Sequence, residues 1–538
     1  MTLTMKRIIY NSIALLLVAV LFSGCYTDKS GLDINKISDI EIETPNMSSI
    51  LRVEYLEAVT FEPTVKVGTA VNPTGISYRW EINQTPGSTD LIVLGEDRVL
   101  NATIKNTILS AAYTLIFTAI DDKSGVEFQK SWPVFVSSAF REGIVVADTK
   151  NGTTSDLSLV MDNDITTSYE KGETIKRNLW ETSTGSAHSG LIKSIAYTLH
   201  KPSPILTKNV ITTIFANKDI KMYDSENYSV YKTAEQLFPG KNASFDPQAF
   251  YTINNATWIL VANNVAYLFA NNQGITSFLL PASGVNYVDN SIMVADNSSG
   301  SGPYALWYNN NTGKFYNISM TFTTPASGGE YTNQGVFNPT NVPDRRMVAG
   351  DISVDGVTPT MLLKNQVTGN YELYAISFGY YDANWNLTPS APKLKVELPV
   401  ALTPILNSAV SVFFNMFDPI MYVATPTKIY AVNFGGGIVS YSEKYTAPAG
   451  EQITKAKLFV QGRYRLNRQD FNETNGPVFE APLALNTKAV VISTSKGEYE
   501  GQIYVIPHGT PGTGNLNGAQ AKKYSGFGKV LDFTFQGQ

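Results

Sequence analysis

The 538-residue chain has a single cysteine, Cys25, and only three histidines, His188, His200 and His508. One thiol excludes an internal disulfide framework and any zinc site built on cysteine pairs. The histidines lie far apart, and none has the H-E-x-x-H spacing that would put two ligands on one helix face; each reads as a surface or turn residue. Charge is also scarce, at 16% of residues, and the formal balance of −5 provides no basic excess for a phosphate backbone, so no nucleic-acid partner is expected. No G-x-S-x-G nucleophile elbow occurs. The glycine-rich stretches Gly435-Gly436-Gly437 and Gly509-Thr510-Pro511-Gly512 lack the lysine and following helix of a phosphate loop and read as turns. Neither acyl nor phosphoryl transfer has a motif, and no cofactor or metal is indicated.

Long apolar runs are missing too. The run Ile13 to Phe22 is about ten residues, too short to cross ~30 Å of hydrocarbon as a helix. It follows Lys6 and Arg7 and precedes Ser23-Gly24, the layout of a cleavable export signal over residues 1–24. Directly after it, Leu21-Phe22-Ser23-Gly24-Cys25 reads as a lipobox, with Phe22 where leucine is usual. Cys25 then becomes the lipidated N-terminus, and two or three acyl chains anchor it stably in a bilayer. Loss of Lys6 and Arg7 takes the formal charge to −7. Residues 25–35 read as a polar tether, in which Asp28 is the acidic residue just after the cysteine that speaks for outward display.

What is abundant is the vocabulary of β structure. From 36 to 138 short runs alternate apolar and polar residues between turns: Ile37 to Ile42, Glu54 to Val67, Ile76 to Ile82, Val99 to Ile104, Ala112 to Ala119 and Val126 to Val136. This density predicts a β-sandwich. Asp121-Asp122-Lys123-Ser124-Gly125 reads as a hairpin turn.

From 139 to 538 the pattern becomes a series of paired apolar strands. The pairs are Gly143–Asp148 with Leu157–Asp162; Val210–Phe215 with Asp219–Tyr223; Thr257–Ala262 with Val265–Ala270; and Ser291–Ala295 with Tyr304–Tyr308. Three more follow: Met361–Lys364 with Tyr371–Ser377, Ile420–Ala424 with Lys428–Val432, and Ala489–Thr494 with Gln502–Pro507. This spacing predicts a β-propeller, with seven blades favoured over six or eight; a β-helix or a second sandwich is the competing arrangement. The expected fold class is all-β throughout.

The lipobox, the sandwich with Ser77-Tyr78-Arg79-Trp80 on a central strand, the junction Arg141-Glu142-Gly143-Ile144-Val145-Val146 and the closing run Tyr524-Ser525-Gly526-Phe527-Gly528-Lys529-Val530 together resemble the PKD-like lipoproteins of the Bacteroidetes. The resemblance covers nearly the whole mature chain, but its motifs are structural. It implies an outer-membrane, cell-surface accessory of a Sus-type nutrient importer, beside a SusC-like barrel and a SusD-like lid, that binds or presents a peptide or glycan.

Candidate site residues are few. Tyr380, Tyr381 and Trp385 put three rings in a polar loop and are candidates for stacking on a sugar or clamping a peptide. Trp307 and Tyr308 precede an Asn-rich turn and are weaker candidates, since the alternation around Trp307 favours packing. Asp162 with Asp164, and Asp351 with Asp355, could supply paired carboxylates for glycoside cleavage, yet turn aspartates that bond their own backbone look the same. The expectation is a non-enzymatic binding protein; a propeller hydrolase or lyase, and a purely architectural or adhesive protein, are the alternatives.

Overall fold

The computed structural model describes residues 39–537, apart from a few short stretches and the segments 271–276, 279–286, 296–304 and 463–482. The leader, Cys25 and the tether lie outside the described residues. The chain divides into two compact units, Met1–Ala139 and Phe140–Gln538, and the regular elements described in both are almost all strands. No helix among the described residues is long and apolar enough to cross a membrane.

In the first unit a five-stranded sheet runs in the order Leu51–Glu54, Glu127–Ser137, Tyr113–Asp121, Ile76–Asn83 and Leu91–Gly95. A three-stranded sheet (Ile40–Glu43, Thr64–Val67, Ala70–Val71) and a two-stranded one (Ala58–Phe61 with Leu100–Thr103) complete it. Alternation along the central strand buries Tyr113, Leu115, Phe117 and Ala119 on one face. Trp80, on the neighbouring strand, packs 4.6 Å from the Phe117 ring and 6.0 Å from Trp132, and its indole N–H donates to the Asp97 carbonyl at 3.1 Å. At the predicted hairpin turn, Asp121 Oδ1 accepts the Lys123 N–H at 2.9 Å. The expected run Glu54 to Val67 takes in the end of Leu51–Glu54 and two further strands, Ala58–Phe61 and Thr64–Val67, which part around Pro63, a residue with no N–H to give a ladder.

Among the described residues the second unit holds seven antiparallel sheets of three or more strands in chain order, besides the two-stranded Tyr380–Tyr381 with Leu387–Thr388. Sheet 1 is Thr174–Lys176, Thr154–Met161, Gly143–Thr149 and, from the far end of the chain, Lys529–Gln536. Sheet 2 runs from Ile192–Ser203 to Val230–Lys232, sheet 3 from Pro247–Ile253 to Val265–Ala270, and sheet 4 from Val294–Ala295 to Thr324–Glu330. Sheet 5 spans Arg345–Ser353 to Ala391–Glu397, sheet 6 Ser411–Phe414 to Ser440–Thr446, and sheet 7 Gln452–Leu458 to Lys522–Phe527. Each expected strand pair forms an antiparallel pair. In sheet 4 the expected pair is the first two strands, and Lys314–Thr321 follows as a third.

The order of packing follows from the sequence of these strands. Successive residues on a strand point to opposite faces, so a strand that is apolar throughout must be covered on both sides. In Ile420–Ala424, Ile420 and Tyr422 join a core reaching across sheets 4 to 7, while Met421 and Val423 join one shared with sheet 5. In sheet 1, Val145 and Ala147 meet sheet 2, whereas Ile144 and Val146 meet sheet 7. Sheets 2 and 3, and sheets 3 and 4, share cores in the same way. Neighbouring sheets therefore pack in chain order and the seventh packs on the first, an arrangement that is β-propeller-like.

The junction and closing residues make this return possible. Gly526 and Phe527 end the outer strand of sheet 7, and Lys529 begins the strand that enters sheet 1 beside Gly143–Thr149. Gly528 lies between them, its N–H donated to Asp148 Oδ2 at 2.5 Å, where a Cβ would overlap the Thr149 carbonyl. Gly143 is equally confined, against the Val160 carbonyl. Glu142 is buried and accepts the Thr167 N–H at 2.8 Å. Deeper in, the buried Asp532 carboxylate takes Lys457 at 2.7 Å, Lys455 at 2.9 Å and the Ile195 N–H at 3.1 Å, tying strands of sheets 7, 1 and 2 together. Burial opposes its charge, but the two ammonium groups overcome that and hold its carboxyl below the ordinary range.

Candidate functional site

The residues that lead the way to a site are two turns of the same design. In sheet 4, Asn309 ends a strand and its buried side chain accepts the N–H groups of Asn311 and Thr312 at 2.9 and 3.1 Å. In sheet 5, Asn365 does the same for Val367 and Thr368, also at 2.9 and 3.1 Å. Both turns close on a left-handed glycine, Gly313 at φ 70° and Gly369 at φ 76°, whose N–H returns to the asparagine carbonyl. The two turns thus share an Asn-x-x-Thr-Gly sequence, 309–313 and 365–369.

Between them runs the connection from sheet 4 into sheet 5. The Val342 N–H donates to the Gly313 carbonyl, and the Gln366 N–H donates to the Asp344 carbonyl at 2.8 Å. Asp344 holds φ 59°, a left-handed conformation that aspartate tolerates better than most residues. Together Asn310, Asn311, Thr312, Gly313, Pro343, Asp344, Arg345, Arg346 and Gln366 line an open cleft of about 340 Å3, within the size range of small-ligand sites.

The charges of the cleft are ordered from beneath. Arg345 gives a two-pronged ion pair to the buried Glu372 and a further hydrogen bond to the Pro343 carbonyl at 2.8 Å. The Tyr374 hydroxyl donates to the same carboxylate at 2.6 Å. Burial raises the cost of ionising Glu372, but the Arg345 and Tyr374 hydrogen bonds outweigh it and hold the carboxyl below its ordinary range. Arg345 is therefore committed. Arg346 and Asp344 are exposed, and neither is ion-paired among the described residues. They carry one charge of each sign.

The residues singled out from sequence fall elsewhere. Trp307 and Tyr308 are fully buried, which corrects their place among ligand candidates. The Trp307 indole N–H donates to the Tyr287 carbonyl at 2.9 Å and its ring packs on Tyr316; the Tyr308 hydroxyl donates to the Val342 carbonyl at 2.6 Å. Neither ring has a face free to stack on a ligand, but Tyr308 supports the cleft from below by also accepting the Arg345 N–H at 3.3 Å. Tyr380–Tyr381 form a two-residue strand paired with Leu387–Thr388. Trp385 and Cys25 lie outside the described residues.

The histidines also need correction, for His200 is a core residue. It is 3% exposed, its Nδ1 lies 2.5 Å from the Tyr231 hydroxyl, and it packs against Trp258 and Phe269. Burial first, and then the Lys232 charge, push it down to about 4. Burial likewise pushes His508 down to about 4. His188 is half-buried with its ring stacked 3.9 Å from Phe215. Of the carboxylate pairs, Asp162 and Asp164 both pair with Lys522, and Asp355 accepts the Thr358 hydroxyl at 2.9 Å. No group of three or more His, Cys, Asp or Glu among the described residues is arranged to hold a metal ion.

The sequence signal for the cleft was the repeated turn, Tyr308-Asn309-Asn310-Asn311-Thr312-Gly313-Lys314 against Lys364-Asn365-Gln366-Val367-Thr368-Gly369-Asn370. Arg345 and Arg346 carried no signal of their own, because their role depends on where the connection between two sheets returns.

An all-β chain with a strand-rich N-terminal unit and a β-propeller-like second unit is the class these features define. Residues 25–191 match the PKD-like family, a span covering the described part of the first unit and most of sheet 1. No curated protein matches the chain. Among solved structures, a quinonprotein alcohol dehydrogenase-like protein from Bacteroides thetaiotaomicron is similar at 10% identity and a TM-score of 0.35, over 93% of this chain and 98% of that one. Apo AztD from Citrobacter koseri is similar at 8% identity and a TM-score of 0.32, over 86% and 99%. YCF48 from Cyanidioschyzon merolae is similar at 11% identity and a TM-score of 0.32, over 66% and 94%. Likenesses of this size carry no argument about activity or ligand.

Proposed function

We propose that this chain is a lipid-anchored outer-membrane protein of the cell surface, a non-enzymatic accessory of a SusC/SusD-type nutrient importer. Its second unit is a seven-bladed β-propeller that binds a nutrient in the cleft between sheets 4 and 5. The observation that carries the binding role is the cleft itself: two copies of one turn and a committed Arg345–Glu372 pair hold a set of exposed amide, guanidinium and carboxylate groups. Rigid support beneath exposed polar groups is what a binding site needs to keep its groups in place. The lipobox at Cys25 supports the anchor, and the resemblance of the lipobox, junction and closing motifs to PKD-like lipoproteins is what implies the accessory role.

The test is affinity purification of the tagged chain from membranes in mild detergent. Co-purification of a SusC-like barrel and a SusD-like lid encoded beside it is the expected result. Recovery of the chain alone from cells that express the pair would sink the importer role.

A further inference from the structure

The chemistry of the cleft's lining narrows its ligand, and the argument rests on reading this cleft as the binding site. Pro343 is the one apolar side chain of the nine lining residues. Asn311, Thr312, Asp344 and Arg346 present hydrogen-bonding groups, most of them planar, and Asn310 and Gln366 add amides partly engaged by backbone: Asn310 Oδ1 accepts the Met347 N–H at 3.1 Å and Gln366 Nε2 donates to the Lys364 carbonyl at 3.2 Å. The two unpaired charges, Arg346 and Asp344, cancel, and the Arg345 charge is already spent on Glu372.

Three ligand classes can be weighed against this lining. An anion would leave Asp344 facing it and would find one free guanidinium instead of a cluster. A peptide is held by an unpaired strand edge or by apolar pockets for its side chains. Here the cleft is built from turns, and its one apolar group is Pro343. A neutral ligand dense in hydroxyl groups matches donors and acceptors alternately offered by amides, a guanidinium and a carboxylate. We infer that the cleft takes an uncharged glycan.

The same lining sets the strength of binding. A handful of hydrogen bonds, each largely offset by lost hydration, corresponds to a dissociation constant on the order of millimolar for one short unit. A polymer that presents many equivalent units raises the apparent affinity, so polysaccharides are the appropriate probe.

Affinity electrophoresis of the full chain in nondenaturing gels cast with dextran, galactomannan, xyloglucan or laminarin provides the test. Polygalacturonate and dextran sulfate are the charged counterparts, and calorimetric titration with a tryptic casein digest is the peptide arm. Retardation by at least one neutral polysaccharide is expected, with Arg346→Ala weakening it about 10-fold, the cost of roughly one hydrogen bond to a charged group, and Asn311→Ala about 5-fold, the cost of roughly one neutral hydrogen bond. Arg346 and Asn311 are exposed, and thermal melting checks that their variants stay folded. Retardation only by the charged polymers overturns the inference, as does neutral-polysaccharide binding unchanged in both alanine variants. Peptide binding lost on Arg346→Ala would overturn the glycan assignment while leaving the cleft as the binding site. No binding of any probe by the unaltered chain would remove both.

Discussion

The Arg345 guanidinium and the Glu372 carboxylate meet edge to edge, Nε to Oε2 at 2.9 Å and Nη2 to Oε1 at 2.8 Å. The pair is mostly enclosed, with 17% and 8% of the two side chains exposed. Because Glu372 neutralises Arg345, the cleft beside them presents one free charge of each sign. A buried pair stripped of one member leaves the other charge desolvated and uncompensated.

Glu372→Gln should therefore destabilise the second unit by about 3 kcal/mol, at the low end for a broken buried pair. Urea unfolding followed by tryptophan fluorescence measures this. The same variant should gain retardation in dextran sulfate gels, since Arg345 would then add its charge to that of Arg346. Unchanged stability together with unchanged anion binding would show that the pair does not govern the cleft.

Stability should fall on the acid side of neutrality because of the buried His200 and the partly buried His508. His200 and His508 are both pushed down to about 4 by burial, from 6.5 in an open chain. Between these values the unfolded chain binds protons that the folded chain refuses, so stability rises with pH across this window. It is complete above about 6.5 and is lost as pH falls toward about 4. For the enclosed His200 the effect is on the order of 3 kcal/mol at about 1.4 kcal/mol per unit. Melting temperature measured from pH 7 to 4 should drop steeply in the unaltered chain and less steeply in His200→Gln. Parallel curves would contradict the assignment.

The return of the chain to sheet 1 depends on the space at Gly528. Gly528→Ala must push a methyl group against the Thr149 carbonyl, which should lower stability by about 1–3 kcal/mol. Differential scanning calorimetry would register it as a lower melting temperature. An unshifted transition would mean that the closing strand adapts at no cost.

Lipidation at Cys25 is read from sequence and is tested by metabolic labelling with a radioactive fatty acid. The unaltered chain should take up label and Cys25→Ser should not, with uncleaved precursor accumulating. Label retained in Cys25→Ser would remove the anchor from the account.

Much of the strand content was legible, and the reason is the period of the apolar residues. Tyr113 to Ala119 alternates because one face of that strand is buried, whereas Ile420–Ala424 is apolar throughout because both faces are covered. Leu91–Gly95 was missed because it lies at the edge of its sheet and exposes Leu91, Ile92 and Val93 without alternation. His200 looked like a surface residue because nothing local announces Trp258 and Phe269, which come from the next sheet. The cleft was hidden for a related reason. Its turns are local and repeat a readable Asn-x-x-Thr-Gly pattern, but bringing them together with Arg346 takes the packing of sheets 4 and 5.

Hydrogen–deuterium exchange on the full chain, with and without saturating oligosaccharides cut from whichever neutral polysaccharide retards it, tests the central claim most directly. Protection confined to 309–313, 342–346 and the turn at 366 is the result predicted for a ligand held in the cleft. Protection elsewhere, with these three segments unchanged, would contradict it.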